Sequence, residues 1–263
     1  VNALRQGLSW WCFADRGVEP EALLAGAAKI GYEAVDLVDE KFWPLVRDHG
    51  LKLGAINGHH SLADGLNKKE NATRIQDELR AKLSKAAEWK FPVLICFSGN
   101  RNGLDDATGL AQCVETLAAV APDAERAGVV LAVELLNSKV DHKDYQCDTT
   151  AWGVRLCDQV GSPAVKLLYD IYHMQIMEGD LIRTIRDKHS YFAHYHTAGN
   201  PGRGQPDGGQ EINYPAVYRA IADVSPGALV CHEFIPAGDP LAALEKAYAD
   251  CLAATGNGRT SAA

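Results

Sequence analysis

The sequence predicts an α/β protein built as a single (β/α)8 barrel, and three observations predict it. Short apolar runs alternate with longer amphipathic stretches, the alternation repeats eight times, and no break in composition interrupts it over 263 residues. Strands alternating with helices make a parallel sheet under helical cover. Eight such units in about 250 residues favour a closed barrel over an open doubly wound sheet. One barrel domain is therefore expected over residues 1–255, with 256–263 as a flexible C-terminal tail.

The elements follow in order. "RQGLSWWCF" reads as the first strand and "EPEALLAGAAKIG" as a helix, because its apolar residues recur at helical spacing. "YEAVDLV" is the second strand, followed by a helix over "EKFWPLVRDHG" and the strand "LKLGAIN". The charged helix "ATRIQDELRAKLSKAAEWK" leads into "PVLICFSG"; the helix "TGLAQCVETLAAVAPDAERAG" leads into "VVLAVELLN". The remaining pairs are "TTAWGVRLCDQVG" with "AVKLLYD", "GDLIRTIRDKH" with "YFAHYHTAG", and "NYPAVYRAIADV" with "ALVCHEF", before a last helix over "PLAALEKAYADCLAAT". The long loop "AGNPGRGQPDGGQE" interrupts the barrel between a strand and a helix, where long loops build or cover sites.

Composition narrows the function classes. A formal charge of −8 with no basic run argues against a nucleic-acid or anionic-membrane surface, and no apolar stretch is long enough to span a bilayer. The seven cysteines are odd in number and form no C-x-x-C pair, so reduced buried thiols and a cytoplasmic location are expected. A chain beginning at Val1 leaves an exported form with a removed signal as the alternative. The expected partner is a small molecule, and a homo-oligomer is left open.

In a (β/α)8 barrel the C-terminal strand ends face the active site. The last four apolar runs end on Glu134, Asp170, His196 and Glu233. Each alone reads as a cap or rim contact, Asp170 above all, since a helical pattern starts directly after it. Together they make an oxygen-rich set suited to one divalent ion, Mn2+ or Mg2+ first, Co2+ or Zn2+ as alternatives. Three clustered carboxylates without a cation would repel one another. No phosphate-binding glycine fingerprint and no G-x-S-x-G elbow appears. His59 and His60, after the third strand, are expected near the mouth, one for packing and one for substrate. Trp10, Trp11 and Phe13 either wall a pocket or join the core.

With the segments "LLYDIYHMQIMEGDLIRTIRD", "YFAHYHTAGNPGRGQPDGGQEINYPAVYRAI" and "CHEF", the chain resembles the xylose-isomerase-like TIM-barrel superfamily, and within it the hydroxypyruvate isomerase family. The resemblance implies Glu134 and Glu233 as metal-proximal acid/base residues, Asp170 and His196 as further ligands, and His173 and Arg203 as holders of substrate oxygens. Lys139, in the loop after Glu134, and His60 are further substrate-binding candidates. It also implies a metal-dependent aldose-ketose type isomerase of a small hydroxy-oxo acid, such as hydroxypyruvate/tartronate semialdehyde or a 2-oxo-tetronate, working by proton transfer through an enediolate. Hydroxypyruvate isomerases often carry glutamine where this chain has His196, whereas related ketose epimerases carry histidine. A ketose 3-epimerase or an inosose-dehydratase-like sugar enzyme on the same barrel is therefore the alternative. An endonuclease IV-like repair enzyme would need more ligands and a positive surface; a non-catalytic barrel would have no need of four intact ligands.

Overall fold

The computed structural model describes residues 3–256, so the expected tail lies, apart from Gly256, outside the described residues. Strand β1 (Arg5–Ser9) passes directly into a one-turn helix, α1 (Trp10–Phe13). The apolar run read as one strand thus changes period at Trp10: Trp10, Cys12 and Phe13 are buried and Trp11 turns outward. Helix α2 (Pro20–Ile30) opens on a proline, whose missing N–H costs nothing in a first turn, and closes on left-handed Gly31. Then come β2 (Ala34–Asp36), α3 (Trp43–Asp48), β3 (Lys52–Leu53) and β4 (Ala55–Asn57). The expected third strand is split at Gly54, where any Cβ would come within 1.9 Å of Asp36 Oδ1.

Helix α4 (Ala72–Trp89) buries Ile75, Leu79, Leu83 and Ala86, one face at helical spacing. After β5 (Val93–Cys96), the single helix expected over 108–128 is two, α5 (Asp106–Ala118) and α6 (Ala121–Ala127). Pro122 explains the break: with no N–H to donate it fits the first turn of a new helix and not the interior of an old one. The chain continues through β6 (Val130–Glu134), α7 (Thr150–Val160), β7 (Val165–Asp170), α8 (Ile171–Met177), α9 (Leu181–Lys188) and β8 (Phe192–Thr197). It ends with α10 (Tyr214–Val224), β9 (Leu229–His232) and α11 (Pro240–Thr255). The bounds of α11 match the sequence reading because Asp239 caps it by accepting the Ala242 N–H and Pro240 starts it.

The chain forms two compact units. One comprises the residues up to Gly54, Asp180–His189 and those from Tyr195 onward; its parallel pairs are β1 with β2 and β9, β2 with β3, and β8 with β9. The other comprises Ala55–Gly179 and Ser190–His194, with β4, β5, β6 and β7 paired in that order. The strand order is β3-β2-β1-β9-β8-β7-β6-β5-β4. Its two ends, β3 and β4, are joined by Gly54 alone, as the expected barrel requires. All seven cysteines are buried and none forms a disulfide. No helix among the described residues is long and apolar enough to cross a membrane.

Candidate metal and substrate site

In the first unit Asp36 closes β2, His196 stands next to last in β8, and Glu233 follows β9. All three are buried. His196 is held between the two carboxylates: Nε2 lies 3.0 Å from Asp36 Oδ2, and Nδ1 lies 2.9 Å from Glu233 Oε2. Trp11 Nε1 donates to Glu233 Oε1 at 2.8 Å, and Arg203 pairs with Oε2. The Arg203 guanidinium also lies 5.6 Å from the Trp11 ring centroid. Arg203 takes a left-handed φ of 54°, a conformation that costs a non-glycine residue about 1–3 kcal/mol and collects at functional sites. Burial would raise the Glu233 pKa, but His196 and Arg203, with the Trp11 hydrogen bond, hold it well below the usual carboxylate range.

This arrangement tests whether a metal fits. A neutral imidazole carries one N–H and can donate to only one of two carboxylates. With the proton on Nε2 facing Asp36, the Nδ1 lone pair faces Glu233, and two electron-rich atoms meet at 2.9 Å. Positive charge at Nδ1 resolves the conflict: a second proton would supply it, and so would a divalent ion, with Asp36 orienting the ring from behind. The donor set fits.

In the second unit Glu134 ends β6, where its carbonyl accepts the Tyr145 hydroxyl at 2.9 Å. Asp170 ends β7, and its Oδ1 caps α8 by accepting the His173 N–H at 3.1 Å. Capping and ligation are not exclusive: Oδ2 stands 3.7 Å from His173 Nε2. Glu134, Asp170, His196 and Glu233 each offer one ligand atom, and these four atoms lie within 4.8 Å of one another. Asp36, His194 and His196 form a second such group.

His60 is exposed, its backbone N–H donates to Glu78 at 2.7 Å, and it lines a cavity of about 470 Å3 with His59, Lys82 and Lys85. Lys139 Nζ donates to the carbonyls of Ile176 and Met177, both at 3.0 Å, and so caps the end of α8. Trp10 and Phe13 join the core, on Phe42 and Phe234 respectively, whereas Trp11 is 45% exposed. Two residues that the sequence reading missed now stand beside the candidates: Asp36 behind His196, and Asn137 beside His173.

A family model described as a xylose isomerase-like TIM barrel matches residues 18–253. The chain belongs to that family. Among relatives of this xylose isomerase-like chain, hydroxypyruvate isomerase of Escherichia coli is 34% identical over 48% of each chain. The 2-oxo-tetronate isomerase of Cupriavidus necator is 33% identical over 44% of each. In these two matches the chain spans about half the length of the relative. A Xenopus laevis chain provisionally named hydroxypyruvate isomerase is 26% identical over 92% of this chain and 94% of its own. A solved structure titled AP endonuclease, family 2, from Brucella melitensis shares the fold with a TM-score of 0.82 and 24% identity, covering 92% of this chain and 96% of that one.

Proposed function

We propose that this xylose isomerase-like protein is an isomerase of small hydroxy-oxo acids, of the hydroxypyruvate/tartronate semialdehyde or 2-oxo-tetronate kind, and that it works with one divalent ion. The four-ligand group Glu134, Asp170, His196 and Glu233 is the observation that carries this reading. The relatives named for hydroxypyruvate and 2-oxo-tetronate isomerisation support the substrate class.

Isomerising an α-hydroxy carbonyl needs a proton removed from the carbon beside C=O and one returned to its neighbour. Glu134 and Glu233 are the groups for it, since a positioned carboxylate can take and give a proton, typically for a factor of about 10²–10⁴. A divalent ion on the four ligands would supply a Lewis acid that stabilises negative charge on the substrate oxygens. His173 donates to a substrate oxygen, and Arg203 offers a planar fork to a carboxylate or hydroxyl pair. Trp11 and Arg203, both on Glu233, set the direction of that carboxylate. His196 in place of glutamine favours one second reading, a ketose 3-epimerase using the same residues.

Hydroxypyruvate, 2-oxo-tetronates and free ketoses assayed side by side, with Mn2+, with Mg2+ and after chelation, test both readings. Turnover of the oxo acids that is lost on chelation is expected. Turnover of ketoses alone moves the assignment to the epimerase, and undiminished rates in metal-free protein overturn the role of the ion.

A further inference from the structure

His173 is fully buried, and the hydrogen bonds around it decide which of its nitrogens carries the proton. Asn137, also fully buried, follows β6 by three residues. Its side-chain Oδ1 accepts the N–H groups of Val140 at 3.0 Å and Asp141 at 2.9 Å. Its Nδ2 donates to Asp141 Oδ2 at 2.7 Å and stands 2.6 Å from His173 Nδ1. The Asn137 backbone N–H also points at His173 Nδ1, at 3.2 Å.

The amide cannot be turned round. Reversed, its oxygen would face the Asp141 carboxylate and its NH2 would face two backbone donors. Asp141 is ionised and so only accepts: burial would raise its pKa, but hydrogen bonds from Asn137 and Tyr172 hold it below the usual range. Tyr172 OH donates to the same Asp141 oxygen at 2.8 Å. Two donors therefore converge on His173 Nδ1, and a proton there would oppose both. Turning the ring over would set a C–H against the same donors, and the rings of His142 and Tyr172, with centroids 5.2 and 5.1 Å away, pack against it.

We propose that Asn137 is a positioning residue that holds His173 as the tautomer with its proton on Nε2, so that the imidazole offers substrate a hydrogen-bond donor and never an acceptor. The functional half of this inference rests on the proposed role of His173 as a substrate-binding group; the tautomer itself does not. Nε2 is the nitrogen on the Asp170 side, 3.7 Å from Oδ2. A donor there discriminates: a carbonyl, carboxylate or hydroxyl oxygen of the substrate can accept, whereas a group that has only N–H to offer at that point would be left unpaired, and buried polar groups left unpaired are costly.

The double variant Asn137→Asp with Asp141→Asn tests it, because it exchanges donor and acceptor while keeping shape. The exchange reverses the side-chain contacts: the Tyr172 hydroxyl turns to accept from the new amide, and only the backbone N–H of residue 137 still faces His173 Nδ1. One oxygen of the new carboxylate still accepts the two backbone N–H groups of the loop, and the other accepts from the new amide and from a proton on His173 Nδ1. Proton–nitrogen correlation spectra of 15N-labelled protein report the tautomer, with the His173 signals identified by their loss in His173→Gln. The wild type is expected to carry the proton on Nε2, and a proton on Nδ1 there overturns the inference without any variant. In the double variant the proton is expected to move to Nδ1, with KM for hydroxy-oxo acids raised about 10- to 100-fold, the scale of one lost hydrogen bond to a charged or polar group. A proton that stays on Nε2 in a folded double variant removes the Asn137 side chain from the role and overturns the inference. If the wild type turns over no hydroxy-oxo acid, the functional reading fails, and the spectra still decide the tautomer.

Discussion

His196 and His173 are both fully buried, yet their surroundings are opposite in kind. His196 has a carboxylate on each nitrogen, Asp36 on one side and Glu233 on the other. His173 has two N–H donors converging on a single nitrogen, both from Asn137. The first environment demands positive charge and the second demands a lone pair. Under the proposed function the same side chain would thereby serve two tasks, ligation and donation to substrate, set by partners rather than by depth. The contrast can be broken from either end.

The largest effect is expected at the carboxylate that His196 faces. Glu233→Gln keeps an oxygen for Trp11 but cannot take a proton and is a poorer ligand. We expect kcat to fall about 10³-fold, within the range for a lost general base, with much less loss of fold stability. Glu134→Gln should behave alike. Proton exchange at the substrate carbon in deuterated water, with a thermal melt, is the measurement; near-normal exchange in both variants would place the acid/base pair elsewhere.

Removing the ion tests the charge demand directly. At an ion concentration about 100-fold above Kd, binding contributes about 2.7 kcal/mol, or about 5–10 °C in Tm for a chain of this length. Chelation should lower Tm by that amount, and adding back Mn2+ or Mg2+ should restore it. An unchanged melt would show that the carboxylates tolerate one another without a cation.

How far the sequence revealed this arrangement depends on where each partner lies. Glu134 and Asp170 are legible because an apolar strand ends on each. Asp36 ends β2 in the same way, but "YEAVDLV" runs on through Leu37 and Val38 and hides it. The strand stops there because Leu37 turns to a left-handed φ of 54°, which nothing in an apolar run announces. Asn137 lies 36 positions from His173, and its meaning comes from hydrogen bonds that only the folded chain makes. For His60 and Lys139, standing after a strand suggests the mouth but not the partners that the fold supplies, for Lys139 the carbonyls of Ile176 and Met177. Among the elements, Pro122 marks a helix break that apolar periodicity runs past, whereas the helix expected over 240–255 coincides with α11.

A middle-sized effect is expected at Asp36. If Asp36 fixes the His196 proton on Nε2, then Asp36→Asn should weaken divalent-ion binding by about 10- to 100-fold, as for other partners behind a ligating histidine. Calorimetric titration with Mn2+ measures this without any substrate. Unchanged affinity would reduce Asp36 to a packing residue and leave His196 without its counterpart to Asn137.

The smallest effect extends the comparison to two buried histidines outside the site. His59 Nε2 accepts the Phe97 N–H at 2.8 Å, and His232 sits between Thr197 Oγ1 and Gln6 Oε1 at 2.9 and 3.0 Å. Neither has a carboxylate hydrogen-bonded to its ring in these contacts, and burial lowers the pKa of His59 to about 4 and of His232 to about 3. Both lie below the ordinary value of about 6.5, so between about pH 6.5 and 4 the unfolded chain binds protons that the folded chain refuses. Stability should therefore fall as pH falls through that window, by about 1.4 kcal/mol per pH unit for each such histidine. His59→Gln retains an acceptor for Phe97 and removes the titration, so the slope should lose about one proton between pH 6 and 4.5, whatever the variant costs at neutral pH. Denaturant unfolding at several pH values measures the slope. An unaltered slope would mean that His59 protonates in the folded state, and that a single backbone donor on one nitrogen is too little to keep a buried histidine neutral.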